Sequence, residues 1–186
     1  IAITGCGWLL ATAVGMIPYI SGGYLGYLDG LFESISGFTG TGATVIEDLY
    51  IMPPSLLLWR SMTHWLGGLG IVVIFIALLP ESGKTSSYMY NAEAAGPTKE
   101  RILPSLQDMT KVLFKIYMAF TVCAFIIFLI CGMDFTGAVN HALSTVSAGG
   151  FSTYNESAAY FDDVYVEGWM TFFMVLAGGN FGLYYR

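Results

Sequence analysis

Four stretches of this chain are apolar and carry few or no charges: Ile1–Ile20, Ser55–Leu79, Val112–Cys131 and Val164–Tyr185. At roughly 20 residues each, they are long enough to cross a bilayer core of about 30 Å as helices. Lipid offers no partner to backbone N–H and C=O groups, so a segment inside it must satisfy its own hydrogen bonds. Charged residues make up 11% of the 186 residues, against about 25% in soluble domains. The reading is an all-α integral membrane protein with no soluble domain of any size. The chain opens inside an apolar stretch with no initiator Met. It has neither a basic n-region nor a small-residue cleavage site, so it reads as a piece of a longer protein rather than as a signal peptide. Cys6, Cys123 and Cys131 lie within apolar stretches without a CxxC pair and read as buried small hydrophobes.

The basic residues give an orientation. Lys84, Lys99, Arg101, Lys111 and Lys115 lie in or beside the segment 81–110, which the positive-inside rule places in the cytoplasm. The connections Ser21–Pro54 and Gly132–Asp163 contain no Lys or Arg, but hold Asp29, Glu33, Glu47, Asp48, Asp134, Glu156, Asp162 and Asp163. An anionic outer face of this kind both signals topology and concentrates cations. Arg60 and His64, beside Trp59 and Trp65, read as interface anchors near the outer end of the second span.

A displacement of 108 residues brings Ser36 onto Ser144, Gly42 onto Gly150, Thr44 onto Ser152, Met62 onto Met170 and Gly70 onto Gly178. One plan, span–loop–span, therefore occurs twice. The units are 1–80 and 109–186, the second cut short at Arg186, with a cytoplasmic linker over 81–108. Inside each loop the sequence predicts a short helix, capped by Asp29 and running to about Phe38, or capped by Thr136 and running to about Val146. About ten helical residues reach roughly 15 Å, half the bilayer core. Each then meets a glycine-rich stretch, "GFTGTGATV" over 37–45 or "TVSAGGFST" over 145–153. Irregular backbone at that depth is tolerated only within protein or against a wet cavity.

Such a stretch suits an ion filter. Carbonyl oxygens replace an ion's hydration shell without adding fixed charge, and glycine permits the φ/ψ values that line them up. The helix C-termini aim partial negative charge at the same place. Thr39, Thr41, Thr44, Ser147 and Ser152 are positioned to hold the loops by local hydrogen bonds. A tight turn between packed helices is the plainer reading of one such loop; two in register favour ion binding.

The segments "FESISGFTGTGATVI", "HWLGGLGIVVIFIALLP", "AEAAGPTKERILPSLQDMTKVLFKIY" and "STVSAGGFST" resemble the TrkH-type membrane subunit of the bacterial Trk/Ktr potassium transporters. The resemblance implies four span–loop–span units around a pseudo-fourfold, potassium-channel-like pore, of which this chain supplies half. It implies K⁺ as the transported ion with no organic cofactor, a multi-pass place in the bacterial inner membrane, and a homodimer regulated by a cytoplasmic TrkA-type nucleotide-binding ring. Carried over by position, the potassium-coordinating carbonyls fall on Gly40, Thr41, Ala148 and Gly149. Thr39, Gly42, Ser147 and Gly150 support them. Relatives carry Thr-Thr-Thr-Gly in the first loop; Gly40 stands at the middle Thr, which keeps a carbonyl and removes a side chain. The other two pore loops, a gating loop and a basic residue below the filter would lie beyond Arg186.

Other motifs fail on spacing. "SGKTSS" over 82–87 lacks the glycine a phosphate-binding loop needs at position 78, which is Leu. Gly67, Gly68 and Gly70 read as close helix packing. A membrane hydrolase built on His64, His141 or Glu33 has neither HExxH nor paired-carboxylate spacing in its favour, so an enzyme is not expected, nor a nucleic-acid partner. A scaffold that transports nothing and another kind of cation channel remain as alternatives. The orientation has a direct check. In a chain freed of its native cysteines, a cysteine at Lys99 should react with an impermeant maleimide only from the cytoplasmic side. One at Asn155 should react only from outside; reversed labelling would overturn the topology.

Overall fold

The computed structural model describes residues 2–78 and 106–179, with side chains over 5–70 and 111–179. Most of the linker over 81–108, including 82–87, and the chain end over 180–186 lie outside the described residues. Among the described residues seven helices follow in order: α1 (Ala2–Gly15), α2 (Ile17–Ser21), α3 (Tyr27–Thr39), α4 (Pro54–Leu78), α5 (Leu106–Ile130), α6 (Phe135–Val146) and α7 (Val164–Gly178). Short 3-10 turns occupy Leu49–Ile51 and Ser157–Phe161.

Helices form over the described parts of the four predicted spans, with local differences. The first is broken into α1 and α2 around Met16. Pro18 has no N–H to continue the helical ladder and sits instead in the first turn of α2. The third begins earlier, at Leu106, so the helix of the second unit takes in the end of the expected linker. Among the described residues, the segment Lys111–Ile130 is long and apolar enough to cross a membrane; Gly5–Ser21 and Val164–Gly178 are shorter apolar helices.

Both half-length helices form, and they begin in register, α3 at Tyr27 and α6 at Phe135. Their 13 and 12 residues reach about 18–20 Å, somewhat more than half a bilayer core. Their caps differ from the predicted ones. Gly26 is the N-cap of α3 and makes no side-chain cap bond, while Asp29 lies in the first turn, where its charge favours the helix dipole. Asp134, not Thr136, caps α6, accepting from the backbone N–H groups of Thr136 (3.1 Å) and Gly137 (3.2 Å). Separations of two and three residues let the Asp134 oxygen reach these free amides.

Helix α4 lies against both half-helices, and two glycines allow it. A side chain at Gly67 would collide with the backbone of Phe38 in α3. One at Gly68 would press on Ser147 at the end of α6 and on Tyr117 of α5. Gly70 faces the Trp8 ring. Trp59 donates to the Gly15 carbonyl (2.9 Å) and Trp65 to the Thr121 hydroxyl (3.0 Å), so each staples α4 to a neighbouring span instead of marking a membrane interface. One core gathers Tyr117, Ala124, Phe128, Val146, Val166 and Phe173 between α5, α6 and α7. A second, around Tyr19, Leu49, Met52 and Leu56, lies where α2 meets the connection before α4.

The outer connections also join. Leu49 donates from its N–H to the Asn155 side-chain carbonyl (2.7 Å), whose amide donates to Asp48 (3.1 Å). Tyr50 donates to Glu156 (3.0 Å), an acceptor that raises the phenol above its ordinary pKa. The cysteines depart from expectation: Cys6 and Cys123 are exposed and Cys131 half-buried. Cys6 and Cys123 sit on outward faces of their helices, whereas Cys131, just past the end of α5, packs against the core between α5, α6 and α7. Gly67→Ala should lower stability by about 1–3 kcal/mol through overpacking, read as a lower thermal midpoint in detergent. Gly70→Ala meets only the Trp8 ring at 3.4 Å and should cost far less; equal midpoints for the two would refute the close approach.

Candidate functional site: paired glycine loops at the ends of two half-helices

Both half-helices end in the same hydrogen-bonded closure. In α3, the Gly40 N–H donates to the Gly37 carbonyl (3.1 Å) and the Thr41 N–H to Ser36 (3.0 Å). In α6, the Ala148 N–H donates to Thr145 (2.9 Å) and the Gly149 N–H to Ser144 (3.0 Å). This is the Schellman arrangement, which needs a left-handed residue just past the helix. Gly40 supplies it at φ 69° and Ala148 at φ 53°. Gly40 is thus the residue that adopts the required conformation without strain, whereas Ala148 bears about 1–2 kcal/mol for its Cβ.

The next left-handed positions are also in register, Gly42 at φ 75° and Gly150 at φ 88°. Thr41 and Gly149 between them have negative φ. Alternation of hand turns successive carbonyls toward a common side, where a uniformly extended chain would alternate them. The loops touch: a Cβ at Gly42 would coincide with the Gly149 carbonyl oxygen. Gly149 is buried with its Cα against the His64 ring, while Thr41, Ala148 and Gly150 are exposed and Gly40 and Gly42 half-buried. All four carbonyl-bearing residues expected from the sequence therefore belong to one pair of abutting loops.

Hydroxyl ties repeat as well. Thr39 donates to Ile35 (2.8 Å) and Ser147 to Leu143 (3.0 Å), at equivalent positions. The Thr41 hydroxyl pairs with that of Thr39 (2.7 Å), and Ser36 donates to the Ala43 carbonyl (2.5 Å). Thr44 and Ser152 do more than pair with backbone. Thr44 donates to the Glu33 carboxylate (3.0 and 3.1 Å), and the Ser152 hydroxyl meets His141 Nε2 (3.0 Å). The His141 Nδ1 faces the Gly137 carbonyl (2.8 Å). That assigns the proton to Nδ1 and makes Nε2 the acceptor for Ser152. Glu33 and His141 occupy equivalent positions, so each half-helix ties its returning loop through the same position.

Arg60 and His64 overturn their reading as interface anchors: they are 1% and 0% exposed. Arg60 pairs with Glu33 through Nε (2.7 Å), and His64 Nδ1 meets the Ser144 hydroxyl (3.3 Å). The reason is the loops themselves, which return against α4 and cover its first turns. Glu33, 0% exposed, therefore leaves the anionic outer face; Asp29, Glu47, Asp134, Glu156 and Asp162 remain exposed on it. A clue was available, since Glu33 lies mid-helix shortly before the loop glycines and Arg60 is the first basic residue of the chain.

Comparison with known proteins agrees with this architecture. The model of the TrkH family, described as a cation transport protein, matches residues 3–186. The chain is 36% identical over 181 residues to the Trk system potassium uptake protein TrkH of Escherichia coli K12, covering 96% of this chain and 38% of that protein. It is equally 36% identical to the Trk system potassium uptake protein TrkG of the same organism, over 96% of this chain and 37% of the relative. The crystal structure of the potassium transporter TrkH from Vibrio parahaemolyticus superposes with a TM-score of 0.80 at 32% identity, covering 96% of this chain and 35% of that one. The chain thus spans a little over a third of the length of these relatives. With the all-helical fold, the paired half-helices and a family model matched over nearly its whole length, this chain belongs to the TrkH family of cation transport proteins.

Proposed function

We propose that this chain forms two of four span–loop–span units of a membrane-embedded potassium-transport subunit, and that K⁺ passes beside the backbone carbonyls of Gly40, Thr41, Ala148 and Gly149. The observation that carries the reading is the registered pair of left-handed positions, Gly40 with Ala148 and Gly42 with Gly150, at the ends of two abutting half-helices. The relatives named as potassium uptake proteins support the ion. Carbonyl oxygens suit a monovalent cation that must be released as readily as it is bound. The exposed carboxylates of the outer connections raise cation concentration at the entrance. The chain is placed in the bacterial inner membrane as a multi-pass segment, with the exposed apolar faces of its helices against lipid or the other two units. The whole subunit would work as a homodimer under a cytoplasmic TrkA-type nucleotide-binding ring.

The loops make unequal demands on a substitution. A side chain at Gly42 meets both a left-handed φ and the Gly149 carbonyl, whereas Gly150 has open space around it and only the left-handed φ to oppose a side chain. In liposomes carrying the full-length parent, K⁺ flux should exceed Na⁺ flux. Gly42→Ser should reduce that preference strongly. Gly150→Ser should reduce it less, by a factor in keeping with about 1–2 kcal/mol of backbone strain. Equal K⁺ and Na⁺ flux in the unaltered parent would sink the selectivity claim. Preference unchanged in both variants would move the filter elsewhere.

A further inference from the structure

Arg60 does more than neutralise Glu33. Its guanidinium reaches three separate segments: Nε donates to Glu33 in α3 (2.7 Å), Nη2 to the Thr44 hydroxyl in the first loop (3.3 Å), and Nη1 to the Ser152 main-chain carbonyl in the second loop (3.1 Å). Its central carbon also lies 4.1 Å from the centre of the Phe151 ring, which stacks on His64 at 3.8 Å. Glu33 in turn accepts from the Val45 N–H (3.2 Å). Thr44 and Ser152 each follow their filter glycine by two residues. One planar side chain, rooted in α4, therefore holds both loops at matching depth.

The second unit lacks the side chain that makes this tie in the first. The bond from half-helix to returning loop is kept in both units, Glu33 to Thr44 and His141 to Ser152. The bond from one loop to the next is not, because the position equivalent to Arg60 is Gly168, which has no side chain. The Arg60–Glu33 pair is also closed upon itself, so its charges largely cancel where an ion passes. Its contribution there is geometric.

We propose that Arg60 is a positioning residue that sets the separation of the two filter loops, and through it the discrimination between K⁺ and the smaller Na⁺. The proposal rests on the carbonyl-filter reading above. Where cavity size sets selectivity, a carbonyl cage disfavours the smaller ion because its oxygens are kept from drawing in around it. Arg60 opposes that movement by anchoring the carbonyl two residues beyond Gly150. Lysine keeps the charge but lacks the planar fork that reaches Glu33, Thr44 and Ser152 together, so Arg60→Lys separates charge from geometry.

The test is the ratio of Na⁺ to K⁺ flux in liposomes for the full-length parent, Arg60→Lys and Gly150→Ser, with monodisperse protein quantified for each. Arg60→Lys should raise the ratio by about two- to tenfold, the factor one net hydrogen bond carries. A role confined to packing would lower both fluxes in proportion to folded protein and leave the ratio alone; that result overturns the proposal. If Arg60→Lys does not assemble, Thr44→Val removes one arm of the same tie, and an unchanged ratio there is equally decisive against it. Gly150→Ser separates the two levels. An altered ratio for Gly150→Ser with none for Arg60→Lys removes this inference alone, whereas no change in either removes the filter reading beneath it.

Discussion

A backbone that enters the membrane part-way and turns back must find partners for amides and carbonyls that neither a helix nor water supplies. An unsatisfied buried group costs about 1–3 kcal/mol, so the need shapes everything around the loops. The carbonyls of Ser36, Gly37, Ser144 and Thr145 are closed by the paired bonds at the helix ends. The N–H groups of Val45, Ile46 and Tyr154 are taken by Glu33, Thr44 and Ser152. The carbonyls of Gly40, Thr41, Ala148 and Gly149 take part in none of these bonds. Polar side chains inside this apolar protein are concentrated where the main chain lacks its own partners.

The close packing of α4 follows from the same need. The loops can be enclosed only if a full-length helix comes near enough to cover them, and Gly67 and Gly68 remove the side chains that would hold it away. In membranes, where helix association gains little from hydrophobic burial, such small-residue contacts carry much of the specificity. The Arg60–Glu33 pair extends that contact chemically. A buried ion pair is weak support for stability, because desolvation offsets much of the attraction. Its value here is that it joins α3, the first loop and the second loop through one side chain of α4.

Helices, register and loops were legible in the sequence because each rests on local rules. Apolar length marks the spans, and the displacement of 108 residues that aligns Gly42 with Gly150 also aligns the starts of α3 and α6. The glycines of α4 were legible for a related reason, since small residues within a span have few uses other than close approach. Caps were misjudged by two or three residues, as with Asp134 in place of Thr136, because several polar residues compete for the same free amides. The larger miss was Arg60 and His64. Their neighbours Trp59 and Trp65 imitate an interface, and no local pattern reveals that two loops fold back over them. Their partners lie far along the chain: Glu33 is 27 residues away from Arg60, Ser152 is 92, and Ser144 is 80 from His64. Burial of that kind is a property of the tertiary arrangement.

The Glu33–Arg60 pair also constrains how such a protein is made. Helix α3 carries a carboxylate that is wholly enclosed in the finished structure, and its counter-charge arrives only with α4, later in the chain. A lone carboxylate facing hydrocarbon is strongly disfavoured, and Glu33 meets its counter-charge only when α4 stands beside α3. Enclosure of the first half-helix is therefore conditional on the helix that follows it in the chain.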